Sequence, residues 1–384
     1  MSFPPQKFGP YFIYDKLAVG GMAEIYKAKR CGEKQFQKTL IVKKLNVGKK
    51  DREYVTNLFI DEAHLCAQLN HPNIVSTYDF YSVADQYCIA MEYVHGQDLK
   101  QLLIKHANHR TLLSIEIALY IIHELCSALA YLHSQKTIHN EPMQLVHRDI
   151  SPANILISYQ GEIKLADFGI AKNAYRLYES NQGIRKGKYE YMSPEQAENK
   201  TVDHRSDIFC VGILLFELLT GRRLFKSKSD IDALEKIRSG QIPLASSLNS
   251  RISTRLTQII HTALQPNPAL RFQSAEQMRK AIYTVLQPQT LVGVQRSLQK
   301  QLTSLFAQER QVEQKEEILV HEALKKIPLI ASPKIEKPQD EIIEPIHYKK
   351  NEEVLNDNKK LELPWIISAV FFVLWILTVF FALF

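Results

Sequence analysis

The chain has 384 residues, of which 45% are hydrophobic and 23% charged, enough apolar content for two ordinary domains or one large bilobal one. This composition excludes a wholly disordered chain and a collagen-like or low-complexity fibre. The net charge is +7, but residues 288–364 hold 12 Lys+Arg against 13 Asp+Glu, so the mild excess lies in the remainder and forms no basic arm. Nucleic acid is therefore not expected as a partner, whereas an anionic nucleotide or an acidic membrane surface would suit the charge.

The five cysteines (Cys31, Cys66, Cys88, Cys126, Cys210) are widely spaced and contain no C-x-x-C pair. That argues against a zinc site or a disulfide framework and for a reducing compartment. Met1 to Pro10 has no apolar stretch, so no secretory signal is expected.

In chain order, Tyr11–Leu17, Glu24–Ala28 and Thr39–Lys43 read as short strands separated by turn residues. Residues 52–69 have helical periodicity (Val55, Phe59, Glu62, Leu65, Leu69), stopped by Asn70-His71-Pro72. Ile74–Tyr81 and Gln86–Met91 return to strand. After Gly96 the pattern turns helical, with a long apolar helix from Ser114, its N-cap, to His133. Ile155–Ile157 and Ile163–Leu165 bracket Tyr159-Gln160-Gly161 as a hairpin. Asp207–Thr220 is nearly all apolar and ends at Gly221, which predicts a central buried helix. Thr254–Leu264 and Ser274–Leu286 complete a helical half. Strands followed by helices predict an α+β chain with two lobes.

The composition changes beyond residue 287. Leu291, Leu298, Leu305, Val312 and Leu319 recur every seven residues, but the companion positions Gln301, Gln308 and Lys315 are polar. A homodimer through 291–319 is one expectation; a solvated helix, or one packed on the second lobe, is the other. Residues 331–362, with Pro333, Pro338 and Pro345, read as a flexible charged linker. The last twenty residues, Trp365 to Phe384, carry no charge, and fourteen are Leu, Ile, Val or Phe. As a helix they would span roughly 30 Å, the hydrocarbon thickness of a bilayer. Trp365 would be the interfacial anchor, and Lys349, Lys350, Lys359 and Lys360 would keep the preceding chain in the cytoplasm. The segment reads as a C-terminal transmembrane tail anchor in the inner membrane.

Several short patterns could carry chemistry. Leu17-Ala18-Val19-Gly20-Gly21-Met22-Ala23-Glu24-Ile25 joins two strands through small residues, which lets backbone N–H groups approach phosphates. Leu40-Ile41-Val42-Lys43 places a lysine on the next strand, and Glu62 follows inside a helix; each alone is also compatible with a strand end and a solvated face. His147-Arg148-Asp149-Ile150-Ser151-Pro152-Ala153-Asn154, a hairpin, and Asp167-Phe168-Gly169 come next. Phosphoryl transfer needs a carboxylate near the attacking hydroxyl and hard oxygen ligands for Mg²⁺; Asp149 can supply the first, Asn154 and Asp167 the second. Tyr191-Met192-Ser193-Pro194-Glu195, Asp207 and Arg271 complete an ordered set of seven elements.

With these motifs in this order, the chain resembles the eukaryotic-like (Hanks-type) protein kinases, and among them bacterial membrane-anchored serine/threonine kinases, over about Phe8 to Leu286. The resemblance implies a bilobal fold, with an N-lobe over about 8–92 and a helical C-lobe over about 97–286, and ATP and Mg²⁺ in the cleft. Leu17, Ala18, Gly20 and Gly21 would cover the nucleotide, and Lys43, paired with Glu62, would hold its phosphates. Met91 would be the gatekeeper, the backbone of Glu92 and Val94 would meet adenine, and Ile25 and Leu156 would lie above and below it. Asp149 would be the catalytic base, with Asn154 and Asp167 on Mg²⁺. Glu195 and Arg271 would form a structural ion pair, and Asp207 would brace the catalytic loop. Protein hydroxyls would be the substrates. The competing class is a pseudokinase scaffold; the presence of Lys43, Asp149, Asn154 and Asp167 favours turnover.

The chain departs from the family pattern at several places. Ala18 and Ala23 replace the outer glycines; if either backbone needed φ > 0, alanine would cost on the order of 1 kcal/mol. Ile41 narrows the adenine roof, and 136–144 is longer than usual. Ser151 stands where a lysine is usual and Lys188 where a threonine is usual, which suggests that Lys188 supplies the catalytic charge from the opposite side. Ser180 would be the activation-segment hydroxyl, its phosphate pairing with Arg148, with Tyr175, Tyr178 and Tyr189 as aromatic alternatives; the other expectation is a segment that needs no phosphate, with Arg148 paired to a carboxylate such as Glu179.

Overall fold

The computed structural model describes residues 3–20, 22–32, 36–46, 52–84, 86–168, 189–227, 229–286 and 291–326. Its first lobe is a six-stranded antiparallel sheet in the order β1-β2-β3-β4-β6-β5, built from β1 (Gln6–Phe8), β2 (Tyr11–Val19), β3 (Ala23–Cys31), β4 (Gln37–Leu45), β5 (Thr77–Val83) and β6 (Gln86–Glu92). The strands run longer than the apolar runs that announce them. Lys29, Arg30 and Lys44 continue the pairing at their ends, because ladder hydrogen bonds do not depend on side-chain polarity. Ile74 lies outside β5 and makes an isolated bridge to Leu165 instead. Helix α1 (Arg52–Gln68) lays Val55, Phe59 and Ala63 on Ala23, Leu45 and Ile89 of the sheet.

The second lobe is mainly helical around one apolar core. A small sheet, β7 (Gly96–Asp98), β8 (Ile155–Ser158) and β9 (Ile163–Leu165), lies at its upper edge. Gly96 is required there, because a Cβ would sit 1.9 Å from the Ile157 carbonyl oxygen. Helix α2 (Leu99–Asn108) begins at Asp98, whose carboxylate accepts the Gln101 N–H. Helix α3 (Ile115–His133) begins at Ser114, whose hydroxyl accepts the Ile117 N–H. Among the described residues α3 is the one helix long and apolar enough to cross a membrane, yet 67% of its window is buried in this lobe. The candidate membrane segment 365–384 lies outside the described residues.

Helix α4 (Pro194–Ala197) follows, and α5 (His204–Thr220) runs through the centre, buried continuously from Ser206 to Thr220. It starts a turn earlier than its apolar run because Asp203 caps it, accepting the Arg205 N–H. It ends at left-handed Gly221. Helices α6 (Asp230–Ser239), α7 (Ala245–Leu248), α8 (Thr254–Ala263) and α9 (Ala275–Leu286) complete the lobe.

The seven-residue repeat does not form one continuous seam. The chain makes two helices, α10 (Leu291–Leu305) and α11 (Ala307–Lys325), broken at Phe306. Val294, Leu298, Leu302 and Phe306 are buried in the second-lobe core, each worth about 1.5–3 kcal/mol of removed apolar surface. Leu298 is therefore occupied within its own chain, and Val312 and Leu319 remain exposed. The second-lobe-packed alternative accounts for α10, and a dimer through 291–319 finds no continuous apolar seam.

Candidate active site

The site is assembled where the two lobes meet. Lys43 sits on β4 opposite Ile25 of β3 and Ile89 of β6. Its Nζ lies 2.6 Å from Glu62 Oε1 of α1 and 3.1 Å from Asp167 Oδ1, just past β9. Burial alone would lower the lysine pKa, but the two carboxylates outweigh it and hold the pKa above its ordinary value, so the ammonium stays charged. Asp167 adopts φ +54°, a left-handed conformation that a non-glycine residue keeps only when its surroundings impose it. Phe168 is buried behind it, 5.1 Å from the His147 ring. Burial pushes the His147 pKa down, so this imidazole is neutral. Its Nε2–H donates to the Ala166 carbonyl at 3.2 Å, and its Nδ1 accepts the Asp149 N–H at 3.3 Å.

The loop from His147 to Asn154 presents the remaining polar groups. Asn154 closes a single 3₁₀ turn, Pro152–Asn154. Its amide nitrogen donates to the Asp149 carbonyl at 2.7 Å and to Asp149 Oδ2 at 2.8 Å. Both donors are thereby used, and the amide oxygen is the atom left to ligate a cation. The Asn154 carbonyl accepts the Ala166 N–H at 2.9 Å, which ties this turn to the segment carrying Asp167. An amide oxygen and a carboxylate form a hard donor set that fits Mg²⁺. Asp207, at the start of α5 and fully buried, accepts the N–H of His147 at 2.8 Å and of Arg148 at 2.9 Å, and pairs with His133 Nε2 at 2.9 Å.

A cleft of about 840 Å³ opens beside these groups. Leu17, Ala18 and Ile25 line it from the sheet, Glu92 from the end of β6, Val94 from the connection between lobes, and Leu156 from β8. Met91, Ile41 and Asp167 also face it. Gly20 lies at the β2–β3 turn, where its N–H donates to the Ala23 carbonyl, and it is not part of the cleft lining. Ala18 pairs with Ile25 and Ala23 with Leu45 as ordinary strand residues, and neither has positive φ. The alanine penalty considered from the sequence therefore does not arise. Gly21, Ser180 and Lys188 lie outside the described residues. Sequence reading missed one wall of the cleft: Gln308, Glu309, Val312, Glu313 and Glu316 of α11 line it too.

The family model for the protein kinase domain matches residues 11–284. The chain belongs to the protein kinase family. Tyrosine-protein kinase MasK of Myxococcus xanthus is 36% identical over 281 residues, covering 73% of this chain and 44% of that protein. Serine/threonine-protein kinase PrkC of Bacillus subtilis is 32% identical over 363 residues, covering 94% of this chain and 51% of that protein. The crystal structure of the Mycobacterium tuberculosis PknI kinase domain superposes with a TM-score of 0.55 at 25% identity, covering 73% of this chain and 98% of that one. The chain thus spans about half the length of the curated relatives it matches. The family works with ATP and Mg²⁺.

Two buried carboxylates of the kinase C-lobe behave differently. Glu195 faces Arg271 in a two-pronged pair at 2.7 and 2.8 Å and also accepts the Ser206 hydroxyl. Burial would raise its pKa, but the guanidinium and hydroxyl outweigh that and hold it low. Glu217 of α5 instead meets neutral donors: it accepts the Tyr191 hydroxyl at 2.7 Å and the Leu224 N–H at 3.3 Å. Burial pushes its pKa up to about 7. Because this pKa is raised on folding, the folded state keeps a proton that the unfolded chain releases between pH 4.5 and 7. Stability should fall as pH rises through that window. Glu217→Gln should be more stable than the parent above pH 7, by on the order of 3 kcal/mol, with the difference shrinking towards pH 5. Thermal melts of both proteins from pH 5 to 8 measure this; a difference independent of pH would show that Glu217 is ionised throughout.

Proposed function

We propose that the chain is an ATP- and Mg²⁺-dependent protein kinase that phosphorylates serine and threonine hydroxyls at the cytoplasmic face of a membrane. The observation that supports it most is the convergence of Lys43, Glu62 and Asp167 within 2.6–3.1 Å beside the Asp149–Asn154 turn. Lys43, charged and held by Glu62, would bind the phosphates of ATP. Asp167 and Asn154 would hold Mg²⁺, which neutralises charge on those phosphates. Asp149, oriented by Asn154, would accept the proton of the attacking hydroxyl as the new O–P bond forms and ADP departs. Leu17, Ala18, Ile25 and Leu156 would sandwich adenine against Glu92 and Val94. Lys188 would add positive charge opposite Ser151. Nothing favours the pseudokinase reading, since each of these groups is present.

We read the chain as a kinase domain over 8–286, a helical segment over 287–330, a linker over 331–362 and a tail anchor over 365–384. The anchor rests on the uncharged composition of the last twenty residues. A second reading, tyrosine phosphorylation, is favoured by Ser151 at the lysine position and by the likeness to MasK, a tyrosine-protein kinase. Radiolabelled ATP and a generic basic substrate, followed by phosphoamino-acid analysis, separate the readings. Label on serine or threonine supports the first and label on tyrosine the second. Nucleotide binding without transfer would restore the scaffold. The full chain should also stay with membranes through carbonate extraction, and release by carbonate would remove the anchor.

A further inference from the structure

Helix α11 lies beyond the matched kinase domain, yet it touches both lobes. At its C-lobe end, Phe306 just before it is buried, Glu309 pairs with Lys105 of α2 at 2.6 Å, and the Arg310 guanidinium lies 5.0 Å over the Tyr159 ring. At its middle, Glu313 reaches His95, just past the connection between lobes, at 3.2 Å, and Lys27 of β3 at 3.1 Å. Glu317 then takes Lys29 of β3 at 2.5 Å and accepts the Thr39 hydroxyl of β4 at 3.1 Å. At its far end, Val320 and Leu324 pack with buried Tyr14 of β2. Successive turns of one helix therefore hold the C-lobe, the interlobe connection and the N-lobe.

The contact in the middle is electrostatic rather than apolar. From Ala307 to Leu319 no residue of α11 is buried, and Val312, Ile318 and Leu319 are exposed. What the helix brings is carboxylate at positions 309, 313, 316 and 317, the i, i+4, i+7, i+8 spacing of one helix face. Their partners are unusual: Lys27 is only 2% exposed, with its Nζ 4.5 Å over the Tyr93 ring. A lysine so far from water needs carboxylates beside it, and salt screens such pairs weakly. Lys27, Glu313 and Glu316 also line the nucleotide cleft, so the same ion cluster forms its outer edge.

Resting on the nucleotide reading of this cleft, we propose that Ala307–Lys325 is a strap that holds the two lobes together and walls the open edge of the nucleotide site. Glu313 and Glu317 are its positioning residues, acting through Lys27 and Lys29. Opening the lobes requires β3 to leave α11, so the strap sets how long a nucleotide stays bound. Lys43, Glu62 and Asp167 pair with one another, an arrangement that should persist without the strap. The effect therefore belongs to nucleotide retention rather than to the chemical step.

The test uses the full chain with a fluorescent ADP analogue. Glu313→Gln with Glu317→Gln should speed release of the analogue by about tenfold. It should raise KM for ATP with kcat at saturating ATP unchanged or higher, and speed hydrogen exchange of the amides from Met91 to His95 without nucleotide. A merely structural loss would lower kcat instead. Glu317→Lys alone should act in the same direction, and Lys29→Glu added to it should restore retention. If the double change does not fold, Glu317→Gln, which leaves Glu313 on Lys27, carries the same measurements. Unchanged release and unchanged exchange at the interlobe connection in folded variants would overturn the strap. Failure of the parent protein itself to bind the analogue would instead overturn the nucleotide reading, and the proposal with it.

Discussion

Lys43→Met and Asp167→Ala should each reduce phosphoryl transfer by orders of magnitude while leaving the chain folded. The reason is charge placement. The Lys43 ammonium, 2.6 Å from Glu62 and 3.1 Å from Asp167, is the positive group aimed from the N-lobe into the site. Methionine matches its length and apolar stem but removes the charge that stabilises the transferring phosphoryl group. It also leaves Glu62 buried beside no cation, so the carboxyl should take up a proton rather than disrupt the fold. Asp167→Ala removes a carboxylate that is partly exposed to the cleft, so its cost to stability should be small and its cost to metal binding large. Initial rates at saturating ATP and Mg²⁺, alongside thermal melts, separate the two effects. More than about a tenth of the parent rate in both variants would sink the phosphoryl-transfer assignment, since groups of this kind normally contribute several powers of ten.

Much of this site was legible because its chemistry is local in sequence. Asp149 and Asn154 are five residues apart on one turn, and the hairpin that returns the chain to Asp167 is short enough to be read from Gly161 and the flanking apolar triplets. The partnership of Lys43 with Glu62 and that of Glu195 with Arg271 are long-range, and spacing alone could not have paired them; only the resemblance did. The helices α6 and α7 escaped because they are short and their apolar residues too few to show a clear period; among the described side chains of α6, Ala233, Leu234 and Ile237 are buried. The role of α11 was hidden for a different reason. Its heptad leucines drew attention to an apolar seam, whereas the face in use is acidic and its partners, Lys27 and Lys29, are nearly three hundred residues earlier. A charged helix face reads as solvated unless the opposing charges are seen to be buried.

Asp207→Asn should lower both stability and turnover, although the side chain does not line the cleft. Asp207 is 0% exposed, and its two oxygens accept the N–H groups of His147 and Arg148 and meet His133. Burial would raise its pKa, but His133 and the backbone donors outweigh that and hold the carboxyl below its ordinary range. A carboxylate with depressed pKa contributes stability above the unfolded value and loses it as pH falls through the folded one. The charge is thus present at neutral pH and bound by donors on every side. Asparagine keeps the shape but turns one acceptor into a donor, so one backbone N–H or His133 must face an N–H₂ group. Breaking a buried charged cluster in this way costs about 3 kcal/mol or more. For a domain of this size that lowers the melting temperature by roughly 5–10 °C. The same bonds hold Arg148 at φ +66°, a conformation worth about 1–3 kcal/mol of strain that the loop would relax without them. Relaxation at Arg148 moves Asp149, the next residue, and a displacement of about 1 Å at a reacting group costs on the order of a hundredfold in rate. Turnover of Asp207→Asn, measured well below its own melting temperature, should therefore fall about that far with KM for ATP nearly unchanged. Parent-like kcat in this variant would show that the catalytic loop holds its shape without α5.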